Sequence, residues 1–155
     1  MKKIHTPLGE MVLFAFQGKI TGIEFADTCG DKTYPDDEGS GPLLSEVAKA
    51  LQEYFDKART SFDFGYCLNG TPFQNKVWEL LSEIPYGTFL TYGDLAKSFK
   101  RPMSAQAIGQ AVGSNPISIL IPCHRVLGAN TKLTGYGGGL WRKKALLDLE
   151  GIPYR

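Results

Sequence analysis

From Thr71 onward the chain is cut into short helical pieces by its own caps and breakers, and this punctuation restricts the fold more than any other feature. Thr71-Pro72-Phe73-Gln74 reads as a capping box with proline at the first helical position, opening a helix that runs to about Ser82. Ile84-Pro85-Tyr86-Gly87 breaks it. Thr91, with Asp94 three residues on, caps a second helix expected over 92–100 and ended by Arg101-Pro102. Ser104 caps a third, which Gly113 stops. Two short helices joined by a tight turn outline a helix-turn-helix, whose second member can enter a nucleic-acid groove. Any small helical domain contains such pairs, so the outline alone assigns nothing. Ala105, Ala107, Gly109 and Ala111 keep that second helix slim, which suits close approach either to a large partner or to a neighbouring helix. After Asn115-Pro116, the apolar run 117–121 predicts a buried strand leading into Pro122-Cys123-His124-Arg125. A glycine-rich loop, 135–139, precedes a last helix from about Leu140 to Glu150, stopped by Gly151.

The first half reads differently. The runs 11–16 and 20–25 are apolar and flank Gln17-Gly18-Lys19, the pattern of two strands joined as a hairpin. Residues 28–41, rich in Gly, Asp and Pro, are expected to form a surface loop. From Pro42, Leu44, Val47, Leu51, Tyr54, Phe55 and Ala58 recur at the spacing of an amphipathic helix. The alternation in 62–66 predicts a further strand. We therefore expect an α/β N-terminal domain over 1–69, a small sheet plus helix, and a mainly α C-terminal domain over 70–155 containing the helix-turn-helix.

Charge divides along the same line. Residues 1–69 carry 7 basic and 11 acidic side chains, and residues 70–155 carry 10 and 5. Only the second half has a balance that favours a polyanion. No apolar run approaches the ~18 residues of a membrane span. The basic start, Met1-Lys2-Lys3, is interrupted by Pro7, Gly9 and Glu10 before any leader-like apolar region, so a cytoplasmic protein is expected. Three cysteines, Cys29, Cys67 and Cys123, lie 38 and 56 residues apart. That is neither a disulfide framework nor a zinc spacing, and no metal is expected.

Pro122-Cys123-His124-Arg125 is the one stretch that carries chemistry by itself. A thiol at the end of a buried segment, followed by an imidazole and a guanidinium, can act as a nucleophile, because the thiolate is the reactive form. Successive side chains of an extended strand point opposite ways, so cooperation between Cys123 and His124 requires a turn, which Pro122 favours. For such a pair taken alone, a buried inert cysteine beside a hydrogen-bonded histidine is the commoner arrangement. Cys29, Cys67 and His5 carry no such context.

The wider context is more specific. The stretch 113–126, Gly-Ser-Asn-Pro-Ile-Ser-Ile-Leu-Ile-Pro-Cys-His-Arg-Val, resembles the active-site segment of the O6-alkylguanine–DNA alkyltransferases. The resemblance extends to Thr71-Pro72-Phe73-Gln74 with Val77-Trp78, and to Ile84-Pro85-Tyr86-Gly87-Thr88 with Thr91-Tyr92-Gly93. It continues through Gly135-Tyr136, Gly138-Gly139, Lys143 and Glu150-Gly151, covering nearly all of 71–151 in order. It implies a ribonuclease H-like first domain and a monomeric, cofactor-free repair protein that binds double-stranded DNA containing O6-alkylguanine. Such a protein rotates the damaged base out of the stack and moves the alkyl group irreversibly to its own cysteine.

Residue by residue, the resemblance implies that Cys123 is the acceptor, His124 the base that deprotonates it through a water, and Glu150 the carboxylate orienting the imidazole. Asn115 resembles the hinge asparagine between recognition helix and active-site segment. Tyr92 would donate to the ring of the base, and Lys143 would support that tyrosine and the cysteine. The carbonyls of Cys123 and Val126 would accept from the exocyclic amine, while Tyr136 and Gly137 would wall the pocket with the Gly137 amide near O6. Many members carry serine at that last position. Thr91, Ser104, Gln106, Ala107 and Gly109 would face the DNA. One departure stands out: Gln106 occupies the place of an arginine that fills the gap left by the flipped base, so weaker duplex activity is expected. The alternatives at this point are a lesion-binding protein without transfer activity, a cysteine hydrolase using Cys123, His124 and Glu150, and a helix-turn-helix regulator without chemistry.

Overall fold

The computed structural model describes residues 1–101 and 103–155. It divides into two compact units, Met1–Leu68 with Pro116–Ser118, and Asn69–Asn115 with Ile119–Arg155.

The first unit is an antiparallel sheet of β1 (Lys2–Thr6), β2 (Gly9–Phe16) and β3 (Lys19–Phe25), in that order, with α1 (Ala26–Cys29) and α2 (Gly41–Phe55). Phe16 pairs with Lys19, leaving Gln17 and Gly18 as a two-residue turn. Their φ values of 50° and 77° match the twist that such hairpins need. Met11, Leu13, Ile23 and Phe25 are buried on the sheet, and Leu44, Val47, Leu51 and Tyr54 are buried on α2, which packs on β1 and β2. The expected loop over 28–41 begins inside α1 and ends in a 3-10 turn at Glu38–Ser40.

Two expected strands do not form. Within 62–66, Tyr66 makes a single bridge to Ile20. Within 117–121, the pairing is one bridge, Ile117 to Ile23, in which the Ile23 N–H donates to the Pro116 carbonyl and the Ser118 N–H to the Ile23 carbonyl, both at 2.9 Å. Beyond it Ile119 takes φ 72°. That conformation is rare for a β-branched residue, and it turns the chain out of strand geometry.

The second unit contains α3 (Pro72–Ser82), β4 (Leu90–Thr91), α4 (Tyr92–Ala96), α5 (Ala105–Gly113), β5 (Val126–Leu127) and α6 (Leu140–Glu150). Thr71 Oγ1 accepts from the Gln74 N–H at 3.1 Å and the Gln74 side chain accepts from the Thr71 N–H at 3.0 Å, a complete capping box. Thr91 and Asp94 repeat the arrangement on α4, and Ser104 caps α5 by accepting from the Ala107 N–H. The second helix is shorter than expected. After Ala96 the Ser98 and Phe99 amides bond to carbonyls three residues back, tightening the chain out of α geometry. The break expected at Pro102 lies outside the described residues. The Trp78 indole donates to the Ala111 carbonyl at 2.9 Å, tying α3 to the end of α5. β4 and β5 form a two-residue parallel pair that the sequence did not announce.

The last helix ends as read. Gly151 is left-handed (φ 73°, ψ 26°), with Ile152 N–H on Leu147 O and Gly151 N–H on Asp148 O, a Schellman stop. Ile152 joins Leu147 and Leu127 in the core. Glu150 is thereby held as the final helical residue. Among the described residues no helix is long and apolar enough to cross a membrane.

Candidate active site

The segment after Pro122 is a 3-10 turn over Cys123–Arg125, closed by the Arg125 N–H on Pro122 O at 3.0 Å and the Val126 N–H on Cys123 O. A 3-10 turn separates successive side chains by roughly 120°, not by the 180° of a strand. The turn that cooperation between Cys123 and His124 requires is present. All three residues of the turn are buried.

His124 is fully out of solvent. Its Nε2 lies 2.6 Å from Glu150 Oε2, and among the described residues Nδ1 has no hydrogen-bond partner. A carboxylate accepts, so Nε2 carries the proton and Nδ1 presents a lone pair. Burial holds the imidazole below its ordinary pKa; Glu150 opposes that shift, while Arg125 and Lys143 reinforce it. Neutral histidine, the form a base needs, is favoured.

Glu150 is shared. Arg125 donates Nε–H to Oε1 at 2.7 Å and Nη2–H to Oε2 at 3.1 Å, and its Nη1 donates to the Ile84 carbonyl at 2.6 Å. The Gly87 N–H donates to Glu150 Oε1 at 3.2 Å. Gly87 is left-handed (φ 77°), a conformation that favours glycine at this turn. The sequence pointed to Arg125 only as a cation near the thiol and to Gly87 only as part of a helix break, not to either as a partner of Glu150. The only available signal was that Arg125 adjoins the Cys-His pair and that Gly87 closes a Pro-Tyr-Gly turn.

Cys123 opens on a cavity of about 320 Å³ lined by Tyr92, Gly109, Val112, Cys123, Tyr136 and Gly137, among others. That volume is in the range of sites for small molecules. A Cβ on Gly109 would lie 4.0 Å from the Tyr92 ring, so the slim face of α5 sits beside the tyrosine. Tyr92, Tyr136, Gly137 and Gly109 are therefore brought to the cysteine. Val126 and Lys143 are not in the lining; they stand behind it, with Lys143 Nζ donating to the Val126 carbonyl at 2.6 Å. Burial pulls the Lys143 amine down to about 8, while the neighbouring Cys123 acts to raise it.

Asn115 is buried and its Nδ2 donates to the Ile121 carbonyl at 2.7 Å, closing residues 116–120 into a loop between the end of α5 and the cysteine turn. Thr91 and Ser104 are the N-caps of α4 and α5, and Gln106 and Ala107 lie in the first turn of α5, with Gln106 exposed.

Residues 72–152 match the family described as 6-O-methylguanine DNA methyltransferase, DNA binding domain, and residues 1–65 match its ribonuclease-like domain. A methylated-DNA–protein-cysteine methyltransferase of Methanosarcina acetivorans is 50% identical over 148 residues, spanning 95% of each chain. The Mycobacterium tuberculosis protein of that name is 40% identical over 149 residues, covering 96% of this chain and 90% of the relative. Among solved structures, Mycobacterium tuberculosis OGT in complex with DNA superposes with a TM-score of 0.83 at 41% identity, covering 96% of this chain and 90% of that one.

Proposed function

The chain belongs to the 6-O-methylguanine DNA methyltransferase family, and from that we propose that Cys123 is the sulfur to which the alkyl group passes. The activity is that of a methylated-DNA–[protein]-cysteine methyltransferase, which repairs DNA by moving an alkyl group from guanine O6 to its own cysteine. The sulfur–carbon bond forms as the carbon–O6 bond breaks, and the electron pair of the broken bond stays on guanine O6. A thioether is not hydrolysed under mild conditions, so each molecule acts once.

The observation that carries the assignment to Cys123 is the polarity of the buried chain beside it. Glu150 holds the Nε2–H of His124, leaving the Nδ1 lone pair of a neutral imidazole on the residue that follows a thiol lining a cavity of about 320 Å³. His124 takes the thiol proton through a water, and Glu150 stabilises the imidazolium that results. Arg125 balances the carboxylate, so the histidine need not be charged beforehand. The Gly137 amide donates to O6 as charge develops there, and Tyr92 donates to the ring. The Cys123 carbonyl accepts from the exocyclic amine, joined by the second lone pair of the Val126 carbonyl, whose first is taken by Lys143, and this selects guanine. Asn115 keeps the cysteine turn in register with α5.

Thr91, Ser104, Gln106, Ala107 and Gly109 form the face toward double-stranded DNA containing O6-alkylguanine, and the protein works as a cytoplasmic monomer. No cofactor is required, because the acceptor is part of the chain. Replacing Cys123 by Ala tests the assignment. Transfer is expected to vanish while binding to lesion-bearing duplex persists; residual transfer would move the acceptor elsewhere.

A further inference from the structure

Thr134 belongs to none of the roles above, yet it lies within hydrogen-bond reach of two residues that have them. Its Oγ1 lies 3.0 Å from the Tyr92 hydroxyl and 3.4 Å from Lys143 Nζ. Lys143 has two further acceptors, Val126 O at 2.6 Å and Gly135 O at 3.4 Å. The three protons of its ammonium are thus matched by three oxygens. An ammonium can only donate, so Thr134 Oγ1 accepts from Lys143 and keeps its own proton for another partner. Accepting from a cation polarises a hydroxyl and makes it a better donor. The Tyr92 oxygen is the acceptor within reach. Having accepted there, the Tyr92 hydroxyl directs its proton into the cavity that it lines with Cys123. The opposite polarity, with Tyr92 donating to Thr134, would present a lone pair to the cavity instead.

We propose that Thr134 is a positioning residue that fixes the direction of the Tyr92 hydroxyl, making Tyr92 a donor to a ring-nitrogen acceptor on the bound purine. This rests on the reading of Tyr92 as a contact to the flipped base. It also gives Lys143 a purpose beyond supporting charge near Cys123, since the lysine sets the polarity of the chain Lys143–Thr134–Tyr92. The packing constrains Thr134 from its other side, because a Cβ added to Gly128 would fall 3.0 Å from the Thr134 methyl group. A side chain of threonine's shape, with or without the hydroxyl, therefore fits.

The test compares transfer rates at saturating DNA for oligonucleotides containing O6-methylguanine or its 3-deaza analogue, which lacks the ring acceptor N3. Thr134→Val should slow transfer from O6-methylguanine by about threefold to tenfold, the effect of one neutral hydrogen bond. It should leave the rate on the 3-deaza analogue within about twofold of wild type, and Thr134→Ser should restore wild-type behaviour on both. Equal slowing of both substrates by Thr134→Val, or a serine variant as impaired as the valine, would overturn the proposal and leave Thr134 a packing residue. Tyr92→Phe separates this from the underlying reading. If it abolishes discrimination between the two substrates while Thr134→Val preserves it, Thr134 alone is ruled out. Unchanged discrimination in Tyr92→Phe would instead remove the reading of Tyr92 itself.

Discussion

His124 and Glu150 meet at 2.6 Å with neither side chain exposed to solvent. The contact fixes which imidazole nitrogen is the base, and Arg125 binds the same carboxylate on two sides. Glu150→Gln keeps the shape but gives up the charge. Transfer is expected to fall by up to about 10⁴-fold, the loss seen when the carboxylate that orients the imidazole of a Ser-His-Asp triad becomes an amide. The Arg125 charge would be left buried without its partner, so unfolding stability should drop by about 3–5 kcal/mol. Denaturant titration and single-turnover kinetics on the same variant measure the two effects. Wild-type rates with wild-type stability would remove Glu150 from the account.

The buried histidine also sets an acid limit. Its pKa in the folded protein lies below the ordinary value of 6.5, chiefly through burial. Between 6.5 and the lower folded value the unfolded chain binds more protons, so stability rises with pH there. The contribution is full above pH 6.5 and is lost as pH falls below it. Chemical denaturation from pH 7.5 to 5 should show this decline in the wild type, and His124→Asn should lack that component. Parallel profiles for both proteins would mean the imidazole does not titrate with folding.

Gln106 stands exposed in the first turn of α5. As an uncharged side chain shorter than arginine it fills a vacated base position less well and attracts phosphate less. Gln106→Arg is expected to raise the transfer rate on duplex DNA more than on single strands. Equal duplex rates for wild type and variant would show that this position does not limit repair.

Asn115 spans from the end of α5 to the Ile121 carbonyl, two residues before the nucleophile. Asn115→Ala removes the donor from a buried carbonyl, at a cost of about 1–3 kcal/mol. Transfer should slow as well, since the clamp positions the cysteine turn. Calorimetric melting and transfer kinetics would separate the two effects, and a loss of stability with unchanged rate would confine Asn115 to folding.

What was readable in the sequence was local. The caps at Thr71, Thr91 and Ser104 each act over three residues, and the Gln17-Gly18 turn and the Gly151 stop are equally self-contained. Two kinds of strand were missed. β1 is half-polar, so its composition hides a strand even though it pairs with β2 as a tight hairpin with Thr6 opposite Gly9, while β4 and β5 pair across 36 residues. The run 117–121 looks like a strand by composition, but Ile119 turns left-handed and Asn115 takes the carbonyl of Ile121. In the site, the family motifs marked Cys123, His124 and Glu150. Thr134 was invisible, because its partners are 42 residues before it and 9 after it and no periodicity links them.

The most direct measurement of the central claim is the mass of the intact protein, with peptide mapping, after incubation with an oligonucleotide containing O6-methylguanine. One methyl group per protein, located on the peptide bearing Cys123 and never exceeding one equivalent of repaired base, is the expected result. Repair beyond one equivalent, a methyl group on Cys29 or Cys67, or binding with no gain in mass would contradict it.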